Sequence, residues 1–301
     1  MDVERSLPYP SIVTIETAGR LYVVATPIGN LGDLSPRACE ILKSCALIAA
    51  EDTRHTGVLL KHFNIETPQV SLHDHNEAQR TPDLLSRLRQ GASIALVSDA
   101  GTPAISDPGF DLVRAAAAAG IDIVAVPGPC AAIAALSIGG LPTDRFCFEG
   151  FLPARGAARR KRLELLIHEP RTLVLYESPH RVKDMLEDCV DAFGGERGAT
   201  LAREITKMHE TIYRGTLREL LARAGSDPDV GRGEIVLVVG GATPDAEDGE
   251  RGADGHGGAL DRVLKVLLAE LPLKQAARLA AQLTEVRDNE AYKRALQLKQ
   301  S

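Results

Sequence analysis

Between Leu21 and Gly140 the chain repeats one unit: a short apolar run, a turn built on Gly and Pro, then a helical segment. The runs are Leu21–Ala25, Leu47–Ala50, Ile94–Val97 and Ile121–Val126. Each is too short for a buried helix, and continuous apolar runs of this length suit strands covered on both faces. Strands that alternate with helices require right-handed crossovers and a mostly parallel sheet. Ser35-Pro36 reads as N-cap and first residue of a helix, because Ser accepts from an orphan amide and Pro loses nothing at that position. Further helices are expected over Phe110–Ala119, stopped by Gly120, and over the small residues Ala131–Ser137. Ligands of such sheets bind beyond the carboxyl ends of the strands, where the Gly- and Pro-rich loops fall.

After Gly140 the strands come closer together. Arg145–Phe151, Thr172–Tyr176, Ala199–Ile205, Thr211–Arg214 and Glu234–Val239 read as strands, and 155–168, Val182–Ala192 and Leu217–Ala224 as helices. This pattern predicts a second α/β domain with a mixed sheet. Residues 241–258 hold six glycines and five acids and almost nothing apolar, the composition of a flexible linker. Beyond it Leu260, Val263, Leu264, Leu267, Leu268 and Leu271 form one helical stripe, ended by Pro272, and Lys274–Leu283 and Asn289–Leu298 read as two more helices. The expected organisation is an extension (1–18), a first α/β domain (19–140), a second (141–240), the linker, and a helical tail (259–301).

With aromatic residues at 4 % and no Trp, the core must be aliphatic. The five cysteines are scattered without a C-x-x-C pair, which argues against a disulfide framework or a zinc cluster. No run approaches the length of a membrane span and no leader pattern opens the chain, so a cytoplasmic protein is expected. A net charge of −6 has the wrong sign for a non-specific nucleic-acid binder. Basic residues are nevertheless concentrated at Arg155, Arg159, Arg160, Lys161 and Arg162, and the tail carries eight Lys/Arg against five Asp/Glu.

Three loops carry polar groups at strand ends. Thr26–Asp33 lacks both the G-x-G-x-x-G pattern and the P-loop lysine, while Glu51 and Asp52 close the next strand. Ser98–Gly109 (SDAGTPAISDPG) is dense in turn residues and must expose many backbone groups, which suits a ligand with an amino-acid end and an adenosine end. His73–Glu77 (HDHNE) looks superficially like a metal site. With no further Cys or His string to complete it, a hydrogen-bonded or RNA-facing loop is the better reading, and no metal is expected.

Together with YESPHR (176–181), FEGFLP (148–153), VPGP (126–129) and AREITKMHE (202–210), these strings resemble the tetrapyrrole-methylase superfamily, and within it the ribosomal RNA small-subunit methyltransferase I branch. The resemblance runs from about residue 20 to the end, where LPLKQAARLAAQLTE is similar to a helix-turn-helix tail. It implies the class III methyltransferase fold, with S-adenosylmethionine held between two α/β domains. It also implies a homodimer and 2′-O-methylation of a decoding-region cytidine in 16S ribosomal RNA of the small subunit. The expected cofactor contacts are Pro27, Gly29, Asp99, Ala100, Gly101, Thr102, Ser106, Asp107, Pro127, Gly128, Ala131, Tyr176, Ala202, Gly233 and Glu234. For Tyr176 and Ala202, plain core packing is the alternative.

A ribose hydroxyl attacks well only as it loses its proton, so a carboxylate or a neutral amine or imidazole is sought beside it. Glu51, Asp52, Glu204 and Lys207 are the catalytic candidates, Asp52 or Lys207 foremost, with His75, Glu77 and Glu177 in the wider set. Arg54, His75, Asn76, Arg155, Arg159, Arg160, Lys161, Arg181 and Arg203 are the expected RNA contacts. Two other readings stay open: methylation of a tetrapyrrole or other small molecule, and a non-catalytic ribosome-binding module.

Overall fold

The computed structural model describes residues 19–242, 257–284 and 286–300; the expected N-terminal extension and residues 243–256 of the expected linker lie outside the described residues. The chain divides into two compact units, Met1–Gly241 and Ala242–Ser301.

The first unit holds two five-stranded sheets. In the first, β1 (Leu21–Val24), β2 (Leu47–Ala50), β3 (Gln69–Ser71), β4 (Ile94–Val97) and β5 (Ile123–Val126) run parallel in the order β3-β2-β4-β1-β5. Its central strands are covered on both faces, as their unbroken apolar sequence requires. Tyr22, Val24, Ile48 and Ala50 meet α1 (Pro36–Ser44) and α2 (Thr53–His62). Leu21, Ala49, Ile94 and Leu96 meet α3 (Glu77–Arg89) and α4 (Phe110–Ala118). Ser35 caps α1 as expected, its Oγ accepting from the Ala38 amide at 3.1 Å.

The elements β3, α2 and α3 are not read from the sequence. Thr56, Leu59 and Leu60 give α2 a narrow buried stripe, and α3 is largely polar with Pro82 inside it. Glu77 sits at the start of α3 and is 7 % exposed. Its carboxylate accepts from the Gly109 and Leu112 amides at 3.1 and 3.0 Å, so it caps α4 across the fold. Helix α4 has Gly109 at its N-cap and therefore no side-chain cap of its own.

In the second sheet, β6 (Phe146–Phe151), β7 (Thr172–Glu177), β8 (Gly198–Arg203), β9 (Thr211–Thr216) and β10 (Ile235–Val239) lie in the order β6-β7-β10-β8-β9. The β6–β7 pair is parallel and the others antiparallel, the expected mixed sheet. Strand β8 stops before Ile205 because Glu204 and Thr206 take positive φ, 52° and 69°. One face packs on α6 (Gly156–Glu164), α7 (Val182–Phe193) and α8 (Leu217–Ser226) through Leu163, Met185, Leu186 and Leu220. The other receives α5 (Ala131–Gly139), which leaves the first sheet after β5 and lays Ala132, Ala135 and Leu136 on Val174, Ala202, Val236 and Val238. Small residues let this helix come close to the sheet, and so the two sheets share one wall.

Among its described residues the second unit has three helices, α9 (Gly257–Glu270), α10 (Leu273–Thr284) and α11 (Asp288–Gln300). Leu260 and Leu264 of the predicted stripe are buried against Ala277, Ala280, Ala281, Ala291 and Ala295, and Arg294 pairs with Asp261. Among the described residues no helix is long and apolar enough to cross a membrane.

Candidate active site

The loops after β1, β4 and β5 are tied to one another. Thr26 and Gly101 exchange backbone hydrogen bonds of 2.8 and 3.1 Å, and the Thr26 hydroxyl donates to the Ser98 carbonyl at 3.1 Å. Thr102 Oγ1 donates to the Pro129 carbonyl at 3.1 Å. Ala104 and Ser106 are held at φ 67° and 64°, a conformation that disfavours side chains other than Gly, Asn and Asp. Such strain persists where the surroundings over-determine the backbone, and it clusters at ligand sites. From the second sheet Tyr176 reaches across, its hydroxyl accepting from the Ala132 amide at the start of α5 at 3.0 Å.

These pieces enclose a cavity of about 390 Å³ at the carboxyl ends of β1 and β4. Of the expected cofactor residues, Asp99, Ala100, Gly101, Thr102, Ser106, Asp107, Ala131, Tyr176 and Glu234 line it. Ala202 does not; it is fully buried in the core beneath, because it faces α5 from the middle of the sheet. Pro27, Gly29, Pro127, Gly128 and Gly233 stand outside the lining. Residues that the sequence reading missed, Ile105, Cys130, Phe151, Ser178 and Ile205, also line the cavity. Apolar residues at strand ends look like core in a sequence, and nothing local marks them as site.

The cavity is acidic. The Asp99 amide donates to Glu51 Oε2 at 3.3 Å while Asp99 Oδ1 accepts from the Asp52 amide at 3.0 Å, so the ends of β2 and β4 are interlocked. Burial, then the charges of Asp99, Asp74 and Asp52, push the Glu51 carboxyl up against the pull of the Asp99 amide. Burial, reinforced by the Glu51, Asp99 and Asp74 charges, raises Asp107 to about 6. Among the described residues none that lines the cavity is basic. A pocket arranged in this way favours a ligand with positive charge.

The other catalytic candidates lie at the rim or beyond. Asp52 is the N-cap of α2, and its bidentate pairing with Arg54 holds its carboxyl well below the usual range. That makes it a weak base. Lys207 Nζ donates to Glu204 Oε1 at 2.8 Å and pairs with Glu234 Oε1 at 3.2 Å, and Glu204 Oε1 also accepts from the Glu234 amide at 2.8 Å. Burial pulls the Lys207 ammonium down, but these two carboxylates outweigh it and raise it, so Lys207 is a charged donor rather than a base. Its stem lies against Gly29, where an added Cβ would come within 2.3 Å of Lys207 Cγ. The Gly233 turn (φ 73°) is likewise roofed by Glu204.

The expected RNA contacts divide into two groups. Arg54, His75, Arg155, Arg160 and Lys161 are exposed. Arg159 is 5 % exposed and its Nε donates to Asp188 at 2.6 Å, which removes it from reach of a phosphate. Arg203 is buried too, donating to the carbonyls of Arg232 and His209. Arg181 is spent on the carbonyls of Leu152 and Pro153 and on Glu177. Asn76 closes its own loop, accepting from the His73 amide and donating to the Ser71 carbonyl. Glu77 is structural by the same measure, whereas Glu177 pairs with Arg181 and also lines the cavity. Among the described residues no group of three or more His, Cys, Asp or Glu could hold a metal.

Residues 20–221, which carry every loop of the cavity up to β9, match the family of Tetrapyrrole (Corrin/Porphyrin) Methylases. The chain belongs to the tetrapyrrole methylase family. A second family, the RsmI C-terminal HTH domain, matches residues 254–299. A protein of Pseudomonas aeruginosa named Ribosomal RNA small subunit methyltransferase I is 56 % identical over 282 residues, which cover 93 % of this chain and 98 % of the relative. A protein of the same name from Escherichia coli O157:H7 is 54 % identical, covering 93 % of this chain and 95 % of its own length. This tetrapyrrole methylase thus falls in the ribosomal RNA small subunit methyltransferase I branch. Solved structures agree on the fold alone. The uroporphyrin-III-C-methyltransferase of Thermus thermophilus aligns with a TM-score of 0.52 at 24 % identity, over 74 % of this chain and 94 % of its own. A diphthine synthase aligns with a TM-score of 0.56 at 15 % identity, over 77 % of this chain and 93 % of its own.

Proposed function

We propose that the protein transfers a methyl group from S-adenosylmethionine to the ribose 2′-hydroxyl of a decoding-region cytidine, position 1402, in 16S ribosomal RNA. The observation that carries this reading is the acidic cavity at the strand ends, in a chain more than half identical to proteins named for small-subunit RNA methylation. S-Adenosylmethionine brings a sulfonium and an ammonium against one carboxylate, and a cavity lined by Glu51, Asp99 and Asp107, with no basic residue among the described ones that line it, fits that balance. When bound, it supplies a methyl group on a positively charged sulfur, ready for in-line displacement.

The chain's own residues do the rest by positioning and by proton transfer. Strained backbone at Ala104 and Ser106 and the Tyr176–Ala132 bond pre-set the walls, so little ordering is left for the moment of binding. Glu51 lines the cavity with a raised pKa, and its Oε2 is held by the Asp99 amide; its Oε1 accepts the proton of the attacking hydroxyl. Asp52 positions this pair through its backbone amide. Lys207, kept charged by Glu204 and Glu234, offers hydrogen bonds to the ribose or its phosphate at the rim. Arg54, His75, Arg155, Arg160 and Lys161 contact RNA beyond it. The same reading carries a homodimer acting in the cytoplasm.

The test is transfer of radiolabelled methyl from S-adenosylmethionine to small ribosomal subunits that lack the modification, followed by nucleoside mapping. Label on a cytidine 2′-oxygen is the expected result. Cofactor binding without label in RNA, or label in a small molecule alone, would overturn the proposal.

A further inference from the structure

The end of β6 is built to present one aromatic ring. In a regular strand, residues three apart face opposite sides of the sheet. Phe148 and Phe151 do not, because the pairing with β7 shifts between them: Phe148 lies opposite Val174, Gly150 opposite Leu175 and Phe151 opposite Tyr176. Glu149 is the additional residue, and Gly150 takes φ 61° to absorb it. Bulges of this kind re-aim side chains beside functional sites. Here both rings come to the face of Tyr176, edge-on, with centroids 5.0 Å (Phe148) and 5.5 Å (Phe151) away.

Phe148 is half-buried, but Phe151 is 55 % exposed although it lines the cavity. An aromatic ring left open to water at the mouth of a cavity is an unsatisfied surface. Its position is fixed from the other side. Arg181 Nη2 donates to the carbonyls of Leu152 and Pro153 at 2.9 and 3.2 Å, pinning the two residues that follow the ring. The chain then enters α6, and the exposed Arg155 at its N-cap and Lys161 within it supply positive charge within ten residues of Phe151. A ring with cations following it is the pattern that binds unpaired nucleotides, base on ring and phosphate on cation.

We propose that Phe151 is a stacking platform for a base of the RNA substrate at or next to the methylated nucleotide. This rests on the reading of the site as an RNA methyltransferase centre. The enclosed side of the cavity, with Tyr176 and Ala131, is left to the methyl donor, while the exposed face of Phe151 receives the second reactant.

The test compares the unaltered protein with Phe151→Leu, which keeps an apolar side chain but no ring, and Phe151→Trp, which keeps a ring. KM for small-subunit RNA is measured by methyl transfer, and affinity for S-adenosylmethionine by titration calorimetry. Phe151→Leu is expected to raise the RNA KM about 10-fold, the size of one lost stack, with donor affinity within about 2-fold; Phe151→Trp restores the KM. An unchanged RNA KM overturns the inference, and so does a matching loss of donor affinity, which would assign the ring to the donor's adenine. Absence of methyl transfer to RNA by the unaltered protein would remove the functional reading and this inference together. Transfer with no difference between the variants removes this inference alone.

Discussion

Glu77 is the residue whose replacement most directly tests how the cavity is held open. It lies far from the chemistry in sequence terms, yet its carboxylate closes the strained loop by accepting from Gly109 and Leu112. In Glu77→Gln the volume is unchanged, but one acceptor oxygen becomes an NH2 that faces a backbone N–H. One bond of the charged kind is lost, worth about 1.5–3 kcal/mol, and a buried donor is left without a partner. Removing the negative charge from the N-terminus of α4 adds about 0.5–1 kcal/mol. The expected loss is therefore about 2–4 kcal/mol, or roughly 5–15 °C in midpoint for a unit of this size. Ala104 and Ser106 are the nearest non-glycine residues with positive φ, and they relax once the loop's far end is loosened. Affinity for S-adenosylmethionine should then fall by about tenfold, since relaxing one such residue releases on the order of 1–3 kcal/mol. Circular dichroism melts and titration calorimetry on the same preparations give both quantities. A variant that melts within about 2 °C of the parent and binds the donor equally well would refute the capping argument.

Two further outcomes are expected. Because Asp107 is raised to about 6 in the fold, against about 3.9 in an unfolded chain, the fold binds protons that the unfolded chain does not between those values, so Asp107 makes the fold less stable as pH rises through that window. A cationic donor favours the ionised form, so its affinity should strengthen roughly 3–10-fold from about pH 5 to pH 7, and calorimetry should find that dependence flattened in Asp107→Asn. Arg159→Met should destabilise by about 3–5 kcal/mol, read from urea unfolding, by leaving Asp188 buried without its main partner. The double variant with Asp188→Leu should recover most of that loss, and a double variant as unstable as the single one would contradict the ion-pair account.

Much of this architecture is legible in the amino-acid order because it depends on local chemistry. The four apolar runs of the first sheet, the Ser35-Pro36 helix start and the Leu260–Leu271 stripe each declare themselves within a dozen residues. The loop Ser98–Gly109 declares itself by turn residues, and most of it does line the cavity. What stays hidden is set by contacts between distant segments. Arg159 and Arg160 are neighbours in one basic run and both pair with Asp188 of α7, yet Arg159 is buried there while Arg160 reaches it from an exposed position. Glu77 looks like a polar loop residue until α4 supplies the amides that it caps. The bulge at Glu149–Gly150 has no cue except a glycine, and without it Phe151 would lie on the wrong face.

Those hidden contacts also explain why the catalytic candidates separate as they do. Glu51 and Asp52 are adjacent in sequence and form the junction between the end of β2 at Ala50 and the start of α2 at Thr53. Glu51 remains at the strand end, beside Asp99 and within the acidic cavity, and its carboxyl is raised. Asp52 begins α2, where the Arg54 amide and guanidinium hold its charge, and its carboxyl is lowered. Two carboxylates pushed in opposite directions by one strand-to-helix junction take different parts: the raised one suits proton acceptance, and the lowered one suits a fixed structural charge. Lys207, paired with Glu204 and Glu234, is held in the charged form and so complements Glu51 rather than competing with it. The division of labour follows from where a single strand stops, which is why it becomes visible only when β2 and β4 are side by side.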